Sequence, residues 1–588
     1  MTHDEILERE QELVSGVKSD QLMEHLRAIA KWERLSGSTE ELEAFHYIQQ
    51  TLDDYGYSTR LQQCEALISL PKNACLKIAE LGEIACITHS MSASVENLKG
   101  EVVYCNFGRS EDYQKVDVHN KIALVEGIAM PGKVKAGENA GAIAQIHICG
   151  DQLHEMCIST VYGSPTSETV QLLPKTPSIT IFSTDGERIK SKIHDNPVHA
   201  EIMTEVDTRY RHIPVLTADL PGSIESDFFV LFSGHVDSWY FGAMDNGSAN
   251  ATQLEIARLL AEFAPHRRGI RLAFWSGHSH GRYAGSTWYA DNYWEELSNH
   301  CIVNINIDSV GGKGATVLTN ACAMQELRPL AQSVIAELAG QEYIGSRIGR
   351  AGDHSFMGIG IPAMLMDLSQ QPVPEFKTPT SRAFALLTGD QQTGGLGWWW
   401  HTQHDTIDKI DPELLQRDAR IYTKIVHRLM NAPMIPIDLR LTVAEINNII
   451  TDYQEKAAGH FDLGPILARA EQLQTEINDL YSQSDPLQDG SKPDSLKSLN
   501  RGLLRLSQIL TRLNYTEAGP FSQDPANAQP SMPLLRHIDS LVNLSSGSDE
   551  YKQILTLLIR RRNSVGYALH EAIEAVRSTR AKLGASRN

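Results

Sequence analysis

The apolar run from Phe228 to Phe232 constrains the fold of this chain more than any other feature. It belongs to the segment DFFVLFSGHVD, which stays apolar for five residues before small and charged residues follow. A strand buried on both faces needs such a run, whereas a strand with one solvated face alternates apolar and polar residues. The segment therefore predicts a central strand in a sheet that is covered on both sides.

The segments after this strand alternate between helical and strand patterns. In order along the chain they are the helix-like SANATQLEIARLLAEF, the strand-like GIRLAFWSG, the helix-like STWYADNYWEEL and the strand-like CIVNINIDSVGG. Alternating strands and helices favour a mostly parallel sheet with helices on both faces. The pattern therefore predicts the α/β fold class for this part of the chain.

A chain of 588 residues is longer than one hydrophobic core usually supports, so several domains are expected. We expect four regions: a helical N-terminal part of the α/β domain at 1–70, an insert at 71–205, the main α/β domain at 206–432 and a helical region at 433–588. The insert, as we call residues 71–205, shows short strand-like runs such as ALISLP and CLKIAEL, followed by a strand–helix–strand unit. The last boundary falls in APMIPID, where two prolines interrupt the helical pattern.

Composition excludes several kinds of partner and location. A formal charge of −20 disfavours nucleic acid and anionic membranes, because both select basic surfaces. The acidic start MTHDEILEREQELVSG has no apolar run of signal-peptide length, and no stretch approaches the ~18 apolar residues of a membrane-spanning helix. The eight cysteines are spread between Cys64 and Cys322 without a CxxC pair, which is typical of free thiols in a reducing compartment. These features predict a cytoplasmic protein.

Histidine and aspartate residues stand where the predicted strands end or the next helices begin. They are His235, Asp237, Asp245, Asp308 and His401. In an open parallel sheet, the carboxyl ends of the strands meet at one edge, and ligands bind there. Imidazole nitrogen and carboxylate oxygen together suit zinc or a similar divalent ion. We therefore predict a metal site, with Asp237 fixing the orientation of the His235 ring through a hydrogen bond.

The segment WSGHSHGRYAGS brings further reactive side chains to the same edge. We call residues 276–283 the HSH loop, after His278, Ser279 and His280. An imidazole can bind a metal ion, and it can also accept a proton near neutral pH. Arg282 and Tyr283 are candidates for polarising a carbonyl or holding an anionic group. The run GWWW directly before His401 predicts a pocket wall.

These motifs resemble those of the co-catalytic zinc aminopeptidases, the family that includes glutamate carboxypeptidase II. GHVDSWYFGAMDNGSANATQLEIAR is similar to the family's first ligand motif, NINIDS and WHTQHDTIDKID to its later ones, and GDHSFMGIGIPAM to its substrate-pocket segment. The insert resembles a protease-associated domain. The C-terminal helices resemble the dimerisation domain of glutamate carboxypeptidase II and the transferrin receptor, so the resemblance implies a homodimer.

The resemblance also implies a ligand set for zinc. His235 and Asp308 would bind one ion, His401 a second, and Asp245 would bridge the two. The HSH loop departs from the family, whose members have two adjacent glutamates there, the first a general base and the second a metal ligand. Without these carboxylates two metal ions close together are harder to hold, so we expect one or two zinc ions.

The position of the missing glutamates depends on how the loop is aligned. Counted forward from Trp275 they map onto His278 and Ser279, and counted back from Gly285 they map onto Ser279 and His280. We assign His280 to the metal and His278 to proton transfer, because histidine can replace a carboxylate in both roles. The loop is then a rebuilt catalytic element rather than a decayed one.

We therefore predict a metal-dependent hydrolase of amide or peptide-like C–N bonds, acting on a peptide or small molecule. Two alternatives remain open: a non-catalytic binding or scaffold protein like the transferrin receptor, and a metalloenzyme of different chemistry, such as a lyase or a hydrolase of non-peptide substrates. An apolar stripe in the C-terminal region is wider than one packed face needs, which favours the homodimer. The stripe consists of Leu503, Leu504, Leu506, Ile509 and Leu510.

Overall fold

A computed structural model of the protein describes residues 3–79, 81–365, 367–375, 378–388, 393–484, 487 and 492–585. Within these ranges thirteen strands form one continuous sheet. The strands are β1 (Ser58–Ile78), β2 (Gly82–Ile84), β3 (Cys86–Thr88), β4 (Val95–Tyr104), β5 (Ile122–Glu126), β6 (Ala144–Ile148), β7 (Ser178–Ile181), β8 (Val198–Leu220), β9 (Phe229–His235), β10 (Gly269–Trp275), β11 (Cys301–Asn306), β12 (Cys322–Ala323) and β13 (Ala363–Leu365).

Helices cover this sheet and form the C-terminal region. They are α1 (His3–Ser15), α2 (Ser19–Ile29), α3 (Thr39–Asp54), α4 (Ser110–Tyr113), α5 (Pro131–Asn139), α6 (Ser183–Asp195), α7 (Ala249–Glu262), α8 (Ala284–Asn292), α9 (Trp294–His300), α10 (Arg328–Ala339), α11 (Pro379–Thr388), α12 (Pro412–Asn431), α13 (Leu439–Ala457), α14 (Gly464–Ser484), α15 (Pro493–Tyr515), α16 (Ile538–Leu541) and α17 (Asp549–Ala585). None of the helices in the described ranges is both long and apolar enough to cross a membrane.

The α/β part of the chain contains the predicted parallel strands. β9 pairs in parallel with β10 on one side and with β11 on the other, and β11 pairs in parallel with β13. Every residue of β9 is buried, as the apolar run at Phe228–Phe232 predicted. Antiparallel strands flank this parallel core: β8 beside β10 and β12 beside β13. The α/β fold class is confirmed.

Two long strands join the α/β domain to the insert. β1 and β8 pair antiparallel from Ser58 opposite Asp219 to Ile78 opposite Ala200, so the expected boundaries at 71 and 205 fall inside continuous strands. The expected short strands ALISLP and CLKIAEL are one strand, with a shift of register between Pro71 and Asn73. Proline lacks the N–H that a ladder needs, and the strand accommodates it by a bulge rather than by ending. The expectation of helix up to residue 70 is also wrong, because β1 begins at Ser58.

The C-terminal region is helical, as predicted, but its apolar stripe is used within the chain. Helix α15 packs against both α17 and α13. All five residues of the stripe are at most 6% exposed as a result. The stripe is wide because α15 packs against helices on more than one side. These five residues are therefore covered within the chain and offer no apolar face to a second copy. The homodimer stays a prediction that rests on the resemblance.

Candidate metal centre

The predicted site residues come from loops that meet at one edge of the sheet. Because β9, β10 and β11 are parallel, their carboxyl ends lie side by side. His235 is the last residue of β9, the HSH loop follows β10, and Asp308 stands two residues beyond β11. Asp245 lies in the turn before α7, and His401 in the loop before α12. The sheet therefore brings residues 166 positions apart in the sequence to one place.

Asp245 connects the two histidines through separate oxygens. Its Oδ1 lies 3.1 Å from Nε2 of His235, and its Oδ2 lies 2.9 Å from Nε2 of His401. Oδ2 of Asp308 lies 3.6 Å from the same nitrogen of His235. His235 and Asp245 are buried, whereas Asp308 keeps 17% of its side chain exposed. The four side chains thus form a cluster with a bridging carboxylate in its middle.

The hydrogen bonds of the two histidines determine which ring nitrogen is protonated. Nδ1 of His235 lies 2.8 Å from the carbonyl oxygen of Asp237, and Nδ1 of His401 lies 2.6 Å from the carbonyl oxygen of Glu155. A carbonyl oxygen only accepts, so each Nδ1 carries a proton, and Nε2 is the ring nitrogen that lies toward the carboxylates. Both Nε2 atoms lie within 3.1 Å of the carboxylate oxygens of Asp245. Such a contact is attractive when a cation, either a proton on Nε2 or a metal ion, lies between nitrogen and oxygen.

The electrostatics of the cluster favour positive charge at these positions. Burial alone would lower the pKa of His235, but Asp308, together with Asp237 and Asp245, outweighs it and raises the pKa well above its usual range. Burial opposes ionisation of Asp245, yet His235 and His401 hold the pKa of that carboxyl well below its usual range. Nε2 of His235 is buried and makes no hydrogen bond of good geometry. The donor set and the uncompensated nitrogen both fit a divalent ion such as zinc.

Asp237 supports the site in a different way from the one expected. The hydrogen bond to the His235 ring comes from the Asp237 carbonyl, whereas the carboxylate oxygen Oδ1 lies 3.7 Å from Nδ1. The carboxylate instead accepts from the Ser36 hydroxyl at 2.6 Å and from the backbone N–H groups of Ser279 and His278 at 2.8 and 3.2 Å. Asp237 therefore anchors the HSH loop to β9.

The two histidines of the HSH loop occupy different surroundings. The His278 ring stacks on the His235 ring with centroids 3.7 Å apart, and ligand atoms of His235, His278 and Asp308 all lie within 4.8 Å of one another. His280 is 1% exposed, and its Nδ1 lies 2.9 Å from the Ser36 hydroxyl. Burial lowers the pKa of His280 to about 4, so its ring is neutral. The geometry favours His278 over His280 as the loop residue that acts at the cluster.

Several residues that sequence reasoning missed hold the centre in place. The Asp405 carboxylate accepts from the backbone N–H groups of Met244 and Asp245 at 2.9 and 3.0 Å, which fixes the turn that carries Asp245. Arg34, fully buried, donates to the carbonyl oxygens of Val236, Phe241 and Gly242 at 2.8, 2.7 and 3.0 Å. Asp405 stands four residues after His401, and that proximity was the one signal available in the sequence.

Other residues singled out in the sequence link neighbouring segments. Arg282 is 6% exposed and donates to the carbonyl oxygen of Ala526 at 3.0 Å, while the Tyr283 ring packs on Tyr162 of the insert at 4.8 Å. Both side chains therefore connect the HSH loop to other parts of the chain. Trp400 stacks on the His401 ring with centroids 3.5 Å apart, so the predicted aromatic wall lies directly beside a ligand candidate.

Comparisons with known proteins agree with this geometry. The sequence profile of peptidase family M28 matches residues 216–426. The probable glutamate carboxypeptidase VP8 of Zea mays is 22% identical over 499 residues, which are 72% of this chain and 68% of that protein. Aminopeptidase YwaD of Bacillus subtilis is 24% identical and aligns over 61% of this chain and 73% of its own length. The solved zinc aminopeptidase of Bacillus subtilis shares the fold with a TM-score of 0.51 at 22% identity, covering 71% of this chain and 96% of that one.

Proposed function

Because the chain belongs to peptidase family M28, we propose that it is a zinc-dependent hydrolase of peptide or peptide-like C–N bonds. One observation carries the proposal: Nε2 of His235 and Nε2 of His401 both lie within 3.1 Å of carboxylate oxygens of Asp245, which stands between them. A divalent ion such as zinc would be held by these nitrogens and oxygens together. The relatives named above are aminopeptidases and a probable glutamate carboxypeptidase, which supports peptides as the substrate class.

The proposed ligands divide into a stronger and a weaker position. His235, Asp245 and Asp308 supply three side chains to the first position, whereas His401 and Asp245 supply two to the second. A metal position with fewer protein ligands is expected to bind more weakly. We therefore propose one tightly held zinc ion and a second, weaker position. His280 is left out of the ligand set because its ring contacts Ser36, Asp237 and Trp239 rather than a ligand candidate.

Zinc bound in such a site polarises a carbonyl and lowers the pKa of water, which makes water a nucleophile at neutral pH. The chain itself supplies the remaining functions. Asp405 and Arg34 fix the loops that carry the ligands. The Trp400 ring limits the space beside His401. His278 is the candidate proton acceptor, since its ring lies against His235 and the forward count from Trp275 aligns it with the family's glutamate base.

The test combines metal analysis with a substrate panel. Purified protein is analysed for bound zinc and assayed on aminoacyl 4-nitroanilides and on dipeptides with a C-terminal glutamate. We expect about one zinc per chain and hydrolysis that a chelator abolishes and added zinc restores. Asp245→Ala should lose both zinc and activity, because it removes the residue shared by both positions. Asp452→Ala, an exposed residue of α13, is the matched control and should keep both.

The altered HSH loop also favours a second candidate, a non-catalytic binding protein on the same scaffold. No carboxylate stands at the loop positions where the family has its two glutamates. Zinc binding without hydrolysis of any peptide in the panel would support this candidate. Protein that neither carries nor binds zinc, with wild-type behaviour of Asp245→Ala, would contradict the proposed metal centre itself.

Assembly and location are proposed on separate grounds. We propose a homodimer because the C-terminal helices resemble the dimerisation domain of glutamate carboxypeptidase II; the buried α15 stripe does not add support. The eight cysteines of the chain are all free thiols, which supports a reducing, cytoplasmic location.

A further inference from the structure

Asp353 is a buried carboxylate beside the metal centre that the proposed ligand set leaves unused. Its Oδ2 lies 2.8 Å from Nδ1 of His278, and its Oδ1 accepts from the Ser286 hydroxyl at 2.5 Å. Its backbone N–H donates to Oδ1 of Asn306 at 2.7 Å, at the end of β11. Asp353 is fully buried, so these contacts hold the carboxylate in one position against His278.

The bond to Asp353 fixes the state of the His278 ring. A carboxylate only accepts, so Nδ1 of His278 carries a proton and Nε2 is the nitrogen left for another partner. The backbone N–H of His278 donates to Oδ1 of Asp237 at 3.2 Å, which holds the residue from its other end. The ring is only 13% exposed on its side chain, so little of it faces solvent. His278 is thus oriented with one defined nitrogen available for chemistry.

The stacking of the His278 ring on the His235 ring indicates whether Nε2 of His278 acts as a metal ligand or as a base. The two rings are nearly parallel, at 11°, with centroids 3.7 Å apart. The lone pair of an imidazole nitrogen lies in the plane of its own ring. Lone pairs in two parallel, stacked rings point along separate planes and do not converge on one ion. The short spacing of His235, His278 and Asp308 therefore suits a base beside the metal position better than a third ligand in it.

We propose that Asp353 and His278 form a carboxylate–imidazole pair that replaces the missing glutamate base of the HSH loop. Nε2 of His278 accepts a proton from the attacking water as the water oxygen bonds to the carbonyl carbon. The same proton then passes to the leaving nitrogen as the C–N bond breaks, which returns His278 to its neutral form. Asp353 is a positioning residue: it sets the tautomer and stabilises the imidazolium while the proton resides there. This inference rests on the proposed function.

The experiment separates a base from a ligand by measuring rate and zinc affinity in the same variants. His278→Ala should lower kcat about 10²–10⁴-fold, the usual contribution of general acid–base assistance, while zinc affinity stays within error of wild type. Imidazole added to His278→Ala should restore part of the rate, because the free base can enter the vacated space. His278→Gln is the second variant, in case the alanine variant does not fold.

Asp353→Asn tests the positioning role. It should lower kcat about 10–100-fold with little change in KM or zinc content, since the carboxylate acts through His278. The double variant with His278→Ala should be no slower than His278→Ala alone, because the two residues act as one unit. If Asp353→Asn does not fold, Ser286→Ala is used instead. It removes the hydrogen bond to Oδ1 of Asp353 and should lower kcat by a smaller factor. Asp452→Asn is the matched control.

Two results would overturn the inference. Loss of zinc from His278→Ala would make His278 a ligand, and additive rate losses in the double variant would mean that Asp353 acts on something else. The failure of the proposed function looks different: wild-type protein would hydrolyse no peptide in the panel. In that case the proposed base role of His278 is also wrong. The zinc affinity of His278→Ala still decides whether His278 is a metal ligand.

Discussion

Replacing Asp405 by alanine should weaken zinc binding, although Asp405 is not a proposed ligand. Its two carboxylate oxygens accept the backbone N–H groups of Met244 and Asp245 at 2.9 and 3.0 Å. Both residues are buried, at 0% and 5% exposure, so in the variant neither N–H can reach water without moving the turn. The turn carries Asp245, whose two oxygens lie against both histidines of the site.

The size of the effect follows from the two lost acceptors. Leaving one buried donor unsatisfied costs about 1–3 kcal/mol, so the pair costs about 2–6 kcal/mol in the native conformation. In the zinc-free variant the turn can relax, so that the N–H groups of Met244 and Asp245 form hydrogen bonds with water. Binding zinc must then restore the unsatisfied conformation, and a cost of only 2 kcal/mol lowers affinity about 30-fold. Asp405→Asn keeps one acceptor oxygen and should lose roughly half as much free energy.

The assay is zinc competition against a chromophoric chelator, with thermal unfolding measured in parallel with and without zinc. We expect affinity in the order wild type, Asp405→Asn, Asp405→Ala, and a smaller stabilisation by zinc in the alanine variant. Asp452→Ala should match wild type. Wild-type zinc affinity in Asp405→Ala would refute the reasoning, since it would mean that the turn keeps Asp245 in place without this carboxylate.

Two further predictions concern stability and assembly. The pKa of Glu10 is lowered from 4.5 to about 2: burial alone would raise it, but the nearby His427 ring and the hydrogen bonds from Arg428 outweigh burial. Glu10→Gln should therefore cost up to about 3 kcal/mol of unfolding free energy at pH 7. A carboxyl group with a lowered pKa stabilises the fold above pH 4.5, and this stabilisation is lost as the pH falls through 2. The unfolding free energies of variant and wild type should therefore converge between pH 4.5 and pH 2. A constant difference down to pH 2 would contradict this. Light scattering at micromolar concentration should give twice the mass of one chain, and the mass of a single chain would remove the dimer.

The central part of the fold follows from local sequence patterns. The apolar run at Phe228–Phe232 predicts a doubly buried strand because burial on both faces leaves no room for polar alternation. The long strands β1 and β8 were harder to predict, since Pro71 looks like a strand end in the sequence. Whether a proline ends a strand or makes a bulge depends on the partner strand, which here lies more than a hundred residues away.

The ligand candidates were predictable for the same reason as the strands. His235 and Asp308 stand at or just beyond strand ends, so the parallel sheet alone brings them together. The residues that fix them were not predictable, because their contacts join distant segments. Glu155 of the insert meets His401 across 246 positions, and Ser36 meets Asp237 across 201. No local pattern marks such a pair.

The most direct test of the metal centre is a crystal structure with anomalous scattering recorded at the zinc edge, from protein loaded with one equivalent of zinc. We predict one strong peak that contacts Nε2 of His235, Asp245 and Asp308, with His278 beside the ion rather than bound to it. A weaker peak between Asp245 and His401 should appear only in excess zinc. A structure with no anomalous peak at this edge of the sheet, or with zinc bound to His280, would contradict the account.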